Sequence, residues 1–360
     1  MDRGGRTRPA RLTLSRSTFR ESTRTMTANP ALSLFRRPLS RRGLIAAGAV
    51  TLAAPFVLRR RAVAAEPLRL SWNAGAVCFS AVPLAFQLDL FKKHGLEVEL
   101  VNFTGSTDQL LEAIATGKAD AGVGMALRWL KPLEQGFDVK ISAGLHGGCM
   151  RLFGAKAAGV KTVLDLPGKV IGVSDMASPS KNFFSVVLTK FGLDPNKDVE
   201  WRQFPADLLG LAVEKGEIHA IADGDPLVWS QTKNPQMVEI TNNVCGEFAT
   251  RTCCLVGVRG SLLRDNRPAA KALTAALIEA QHAAYADLRA AAAAYAPFAP
   301  KFPVEELEAM LRSHAHNVTP IGDELRQQLA LYTDELKSVS VIKRSTDSQR
   351  FAGRITVDLA

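Results

Sequence analysis

From residue 66 onward, short apolar runs alternate with stretches whose apolar positions recur every three or four residues. That pattern predicts strands alternating with helices. LRLSWNA predicts a strand over Leu68 to Trp72, and VPLAFQLDLFKKHG a helix stopped by Gly95. Lys92 and Lys93 fall near its end, where cations suit the helix dipole. LEVELVNF alternates as a strand. GSTDQLLEAIATGKAD opens a helix capped by Ser106 or Thr107, with Leu110, Leu111 and Ile114 on one face. ADAGVGMA and DVKISAGL are further strands.

A second block repeats this order. LDLPGKVIGVSD runs from a turn into a strand. Ser178-Pro179-Ser180 introduces a helix with Gly192 near its end. VEWRQF is a strand, and DLLGLAVEKGEIHAIADGDP holds a helix, Gly216 and a strand ending at Asp223. Met237 to Asn242 is a further strand. Strand–helix–strand–helix–strand therefore occurs twice, over Leu68 to Leu145 and Val170 to Val244. Cys253 to Val258 then reads as a strand. The rest reads as helix: an alanine-rich stretch broken by Pro297, Pro300 and Pro303, then a helix carrying Leu325, Leu329, Tyr332 and Leu336. This is an α/β pattern.

Charge changes the picture. The chain has 45 basic and 35 acidic residues, a formal charge of +10. Residues 1–65 hold 14 arginines and two acids, which leaves residues 66–360 with 31 bases against 33 acids. The excess positive charge is all in the leader, so a nucleic-acid-binding reading loses its basic footprint. The leader has the three parts of an export signal: a basic region ending at Arg41-Arg42, an apolar run over residues 44–58, and a small-residue cut at Val63-Ala64-Ala65. The run is about 15 residues, short of the roughly 20 that span a bilayer. Ser40-Arg41-Arg42-Gly43-Leu44-Ile45 resembles the twin-arginine motif. Met26 would still leave a complete signal.

The remaining 295 residues suit one large domain or two medium ones. Five cysteines occur: Cys78, Cys149, Cys245, Cys253 and Cys254. No CxxC is present, so spacing argues against zinc, and neither metal nor cofactor is expected. His314-Ala315-His316 reads as surface. Walker, GxSxG, HExxH and GxGxxG signatures are absent, and no catalytic residue is assigned.

The residues PLAFQLDLFKKHGLEVELVNFTGSTDQLLEAIATGKADAGVGMA resemble the first lobe of periplasmic solute-binding proteins of ABC importers, of the nitrate, sulfonate and taurine type. VKTVLDLPGKVIGVSD is similar to the start of the second lobe, and LVGVRGSLLRDNRPAAKALTAALIEA to the return into the first. The resemblance implies a type II two-lobed α/β fold: residues 66–149 plus 255–360 as lobe 1, 150–254 as lobe 2, joined by two hinge strands. The hinge maps near Cys149-Met150-Arg151 and Thr252-Cys253-Cys254. Cys149 is then expected close to Cys253 or Cys254, either paired with it or as buried free thiols. The implied protein is a periplasmic monomer working with a permease and an ATPase, without enzymatic activity. Its expected ligand is a small oxyanion such as a sulfonate or nitrate-like ion. A thiamine-pyrimidine or aromatic-acid ligand is the alternative. A pyrimidine-synthase-like enzyme, for which Cys253-Cys254 is only a fragment of the cysteine-rich run, and a sensor module are further alternatives.

Ligands of open α/β sheets bind outside the carboxyl ends of strands. The candidates there are Trp72, Asn73 and Cys78 after the first strand, and Gly105, Ser106 and Thr107 after the second. Met125, then His146 and Gly147 near the hinge, end further strands. Ser178, Ser180 and Lys181 start the matching helix of the second lobe. Two such helix N-termini offer free N–H groups to an anion. A glycine at 147 would let backbone approach a ligand closely. Asp223 would meet a ligand amine, as in a zwitterion, while Asp225 before Pro226 reads as a helix cap.

Overall fold

The computed structural model describes residues 66–103 and 108–359. Residues 1–65, read from the sequence as an export leader, and the candidates Gly105, Ser106 and Thr107 lie outside the described residues.

The chain runs β1 (Leu68–Asn73), α1 (Ala81–Gln87), α2 (Leu90–Lys93), β2 (Val98–Phe103), α3 (Asp108–Ala115), β3 (Ala121–Met125), α4 (Ala126–Glu134) and β4 (Val139–His146). It continues β5 (Met150–Ala155), β6 (Lys169–Val173), α5 (Pro179–Lys190), β7 (Val199–Gln203), α6 (Leu209–Glu214), β8 (Ala220–Gly224) and β9 (Met237–Asn242). It ends β10 (Cys254–Arg259), α7 (Gly260–Asp265), α8 (Arg267–Ala286), α9 (Leu288–Tyr295), α10 (Val304–Ser313), α11 (Gly322–Ser338) and α12 (Ser348–Ile355).

Two five-stranded sheets result, ordered β2-β1-β3-β10-β4 and β7-β6-β8-β5-β9. They share one plan. A central strand, β1 or β6, runs parallel to both neighbours. The fourth position holds an antiparallel strand, β10 or β5, that has just arrived from the other sheet. The chain leaves the first sheet between His146 and Met150 and returns between Asn242 and Cys254. Each sheet with its helices is one lobe. The repeated block read from the sequence is this shared plan.

Helix α1 packs against α8 and α9. Their buried alanines, Ala276, Ala280, Ala284, Ala291 and Ala292, allow that close approach. Ser142 of β4 and Thr274 of α8 exchange a buried hydrogen bond of 2.8 Å.

Three local expectations are corrected. The first predicted helix breaks at Asp89, which takes a left-handed φ of 51° while its carboxylate accepts from Lys92 Nζ at 2.8 Å. The alanine-rich helix divides at Asp287, whose side chain caps α9 by accepting from Ala290 N–H at 2.9 Å. Strand β5, which no alternation announced, is buried at every position because it lies between β8 and β9.

Candidate functional site

The carboxyl ends of β1, β3, β6 and β8 meet at a cleft between the two lobes, with a cavity of about 310 Å³. The first lobe contributes Asn73, Gly75, Ala76 and Met125. The second contributes most of the polar surface: Ser174, Asp175, Ser178, Ser180, Gln203, Asp223 and Asp225. No lysine, arginine or aromatic ring lines it among the described residues.

Helix α5 points its N-terminus at this cleft. Ser178 Oγ accepts from Lys181 N–H at 3.1 Å, and Ser178 C=O accepts from Asn182 N–H at 3.2 Å. Pro179 has no N–H to offer. The N–H of Ser180 is thus the one left over in the first turn, beside the Ser180 hydroxyl, on a residue 2% exposed. Lys181 goes elsewhere: its Nζ sits 5.6 Å from the Trp201 ring centroid, and burial lowers its pKa. A cation the sequence reading missed stands nearby. Arg128 of α4 lines a small recess that shares Asn73 and Met125 with the cleft. Its Nη1 donates to Ala177 C=O across the lobes at 3.1 Å, and it pairs with Asp108. Its Nε is buried without a hydrogen bond. Burial lowers the Arg128 pKa, opposed by the charge of Asp175.

The opposite wall is acidic. Asp223 accepts from Ser174 N–H at 3.1 Å and Gly224 N–H at 2.8 Å. Burial still pushes its pKa above the usual carboxylate range. Asp225 is not a helix cap. Its Oδ2 accepts from Arg151 Nε and meets His314 Nε2, each at 3.0 Å, and Arg151 also pairs with Glu239 at 3.0 Å. Asp225 Oδ1 is buried and has no partner. The expectation of a surface His314 is therefore wrong: it is buried against this carboxylate. His316 is half-buried, edge-on to Tyr285.

Besides Lys181, four described candidates lie outside the cleft lining. Trp72 is fully buried, edge-on to Phe298 at 4.9 Å, so it belongs to the core. Gly147 and Gly148 admit neighbouring chain rather than ligand. A Cβ on Gly147 would lie 2.4 Å from Ala315 Cβ, and one on Gly148 2.0 Å from Asn243 O. Cys78 and His146 join a buried cluster behind the cleft.

In that cluster all cysteines are free thiols. Cys149 lies against Cys253 as the resemblance implied, the two thiols hydrogen-bonded to each other. Cys78 interacts in the same way with Cys149 and Cys254. Burial opposes the Cys78 thiolate, but those two thiols and His146 outweigh it and hold its pKa well below the usual thiol range. Burial likewise opposes the His146 imidazolium, yet the charge of Cys78 beside it pulls His146 up to about 9.

Two mixed five-stranded sheets closing on a cleft where their strands cross over define the two-lobed periplasmic-binding-protein fold. The chain belongs to the NMT1-like family, which it matches over residues 62–297. No protein of curated function matches it by sequence. Among solved structures it is similar to the alkanesulfonate-binding protein SsuA from Xanthomonas axonopodis pv. citri bound to MOPS, at 20% identity and TM-score 0.66, covering 79% of this chain and 97% of that one. The periplasmic aliphatic sulphonate binding protein SsuA from Escherichia coli gives 18% identity and TM-score 0.66, over 80% and 91% of the two chains. The periplasmic nitrate-binding protein NrtA from Synechocystis PCC 6803 gives 15% identity and TM-score 0.64, over 81% and 86%.

Proposed function

We propose that this chain is the periplasmic solute-binding component of an ABC importer, that it performs no chemistry on its ligand, and that it hands the ligand to a permease driven by an ATPase. The solute is a small oxyanion that also carries an N–H donor, the chemistry of an aminosulfonate such as taurine. One observation carries the ligand class: the same cleft is lined by Ser180, with an unused N–H and hydroxyl where a helix N-terminus favours negative charge, and by Asp225, whose buried Oδ1 has no partner. An anion alone would satisfy the first and leave the second unpaired, at a desolvation cost. A donor group on the same solute satisfies both. The fold shared with sulfonate and nitrate binders supports the oxyanion half. The export signal supports the location. The pyrimidine alternative gains hydrogen-bond acceptors from the acidic wall, but among the described residues the cleft offers no ring to stack on.

The test is a thermal-shift and calorimetric series on the purified protein. It compares taurine with ethanesulfonate, which has no donor in place of the ammonium, and with isethionate, which has a neutral hydroxyl there, and includes nitrate, bicarbonate, an aromatic acid and an aminopyrimidine. A ligand at 100 times its Kd stabilises by about 2.7 kcal/mol. Taurine is expected to shift the transition and ethanesulfonate to bind about tenfold or more weakly, since an unpaired buried polar group is costly. Equal binding of taurine and ethanesulfonate removes the donor half of the reading. A response to the aminopyrimidine alone overturns the oxyanion half.

A further inference from the structure

We propose that Cys78, His146 and Cys254 form a binding site for one thiophilic d10 metal ion, Zn(II) or Cu(I), at the crossing between the lobes. The proposal does not depend on what the cleft binds.

Three separate elements bring the donors together. Cys78 lies in a short turn after β1, His146 ends β4, and Cys254 begins β10. Strands β4 and β10 are paired so that Cys254 stands directly opposite His146. One donor atom from each of the three residues lies within 4.8 Å of the others. Two thiolates on a tetrahedral ion sit about 3.8 Å apart when each bond is about 2.3 Å, so a contraction of at most about an ångström brings the three donors onto one ion. All three residues are buried. Sequence spacing hid this, because the donors are 68 and 108 residues apart.

The imidazole is already oriented as a ligand. His146 Nδ1 lies 2.5 Å from Gly147 C=O, which sets Nδ1 as a donor and leaves Nε2 as the nitrogen that would face a metal. That Nε2 is buried and makes no hydrogen bond of good geometry, although the Cys78 thiol lies beside it. A metal bound there would take the place of the proton on Nε2 and bond the adjacent sulfur in its stead. The donor set is soft, and no carboxylate belongs to it, which selects against Mg(II) and Ca(II). With Zn(II), two thiolates and a neutral imidazole sum to zero charge, the arrangement that buries most easily. Cys149 and Cys253 flank the site. Cys253 is occupied as an acceptor from Asn243 Nδ2 at 3.7 Å, and its N–H donates to His146 C=O at 2.6 Å, which holds the ligand-bearing strands in register. A recess of about 20 Å³, lined by Cys78, His146, Tyr285, His314 and His316, adjoins two of the three donors.

The test uses the whole protein, reduced and stripped with a chelator. Zn(II) is titrated against a chromogenic chelator and Cu(I) against bicinchoninate, with Mg(II) as control. Co(II) substitution reads the donors directly through its thiolate charge-transfer band. One Zn(II) or Cu(I) per chain is expected, with a thiolate band for Co(II), and the two titrations tell which ion is preferred. Cys78→Ser and Cys254→Ser should weaken binding by roughly 100-fold or more, and His146→Ala by at least about tenfold. Cys245→Ser, at an exposed position, should leave binding unchanged. Far-UV circular dichroism and the Tm of each variant, measured without metal, separate lost ligands from lost folding. Substoichiometric binding, a Co(II) spectrum without a thiolate band, or binding abolished by Cys245→Ser overturns the site. So does a thiol count showing Cys78 or Cys254 held in a disulfide in the protein as isolated.

Discussion

Two buried histidine clusters flank the crossing between the lobes, and they are satisfied in different ways. His314 sits in a network of charges: Asp225, Arg151 and Glu239, with Arg151 Nη2 also donating to Ser313 Oγ at 2.6 Å. Opposite charges meet there, and the single vacancy is an oxygen, Asp225 Oδ1, on a residue that lines the cleft. His146 sits among thiols, and its Nε2, beside sulfur, makes no hydrogen bond of good geometry. The first network ties the lobes together, since Arg151 lies on β5 and Asp225 directly follows β8 in the second lobe, while Ser313 and His314 end α10 in the first lobe. The second joins β4, β10 and the turn after β1, all of the first lobe, to Cys149 at the crossing through thiol contacts alone. A hard oxygen vacancy asks for an N–H donor; a soft nitrogen and sulfur donor set asks for a metal. That contrast separates the two functional readings.

The largest test of the contrast is to remove one member from each cluster. Asp225→Ala strands Arg151, whose side chain is 6% exposed, with Glu239 as its remaining carboxylate. Breaking a buried ion pair from one side typically costs about 3–5 kcal/mol. Cys254→Ala in metal-free protein removes one sulfur from an already unfilled cluster and should cost about 1 kcal/mol. Urea denaturation of both variants checks this, and equal losses would mean that the two clusters do not differ as described. Next in size is Gly148→Ala, at the crossing itself. Its Cβ would meet Asn243 O at 2.0 Å, and Asn243 is pinned because its Oδ1 accepts from Met150 N–H at 2.7 Å. The backbone must move, at about 1–3 kcal/mol. The same denaturation series reads it, and an unchanged midpoint would show that the crossing yields freely.

The fold was largely legible because periodicity reports burial. Strands half-covered on one face alternate, and β9 was predicted at its observed limits, Met237–Asn242. Strand β5 was not, because full burial erases alternation. Helix α4 was missed for a related reason: Pro132 falls inside it and interrupts the pattern. Within the site, Asn73, Met125, Ser178, Ser180 and Asp223 all line the cleft, since strand ends and helix starts are visible in sequence. Ser174, Gln203 and Asp225 also follow strand-end logic and were within reach of it. Arg128 was not, because its place depends on a helix crossing to Ala177 of the other lobe. Nor was the thiol cluster, which rests on the register of β4 with β10. Pairing between strands that are a hundred residues apart leaves no mark on local pattern.

The smallest expected effect is a slope with pH, and it sharpens the reading of the cleft's acidic wall. Burial raises the folded pKa of Asp223 above its ordinary value. The folded protein then binds this proton more readily than the unfolded chain does. Stability contributed at this site is highest below the unfolded pKa of about 3.9, and falls as pH rises through the raised folded value. Asp223→Asn removes the titration. The difference in unfolding free energy, variant minus wild type, should therefore rise with pH from about 4 and level off once Asp223 is ionised in both states. A cationic group bound in the cleft reverses the cause, because it favours the carboxylate. Repeating the wild-type series with saturating taurine should flatten the slope, and isethionate should leave it in place. A slope that ignores both solutes would place the solute's donor away from Asp223, leaving Asp225 Oδ1 to receive it.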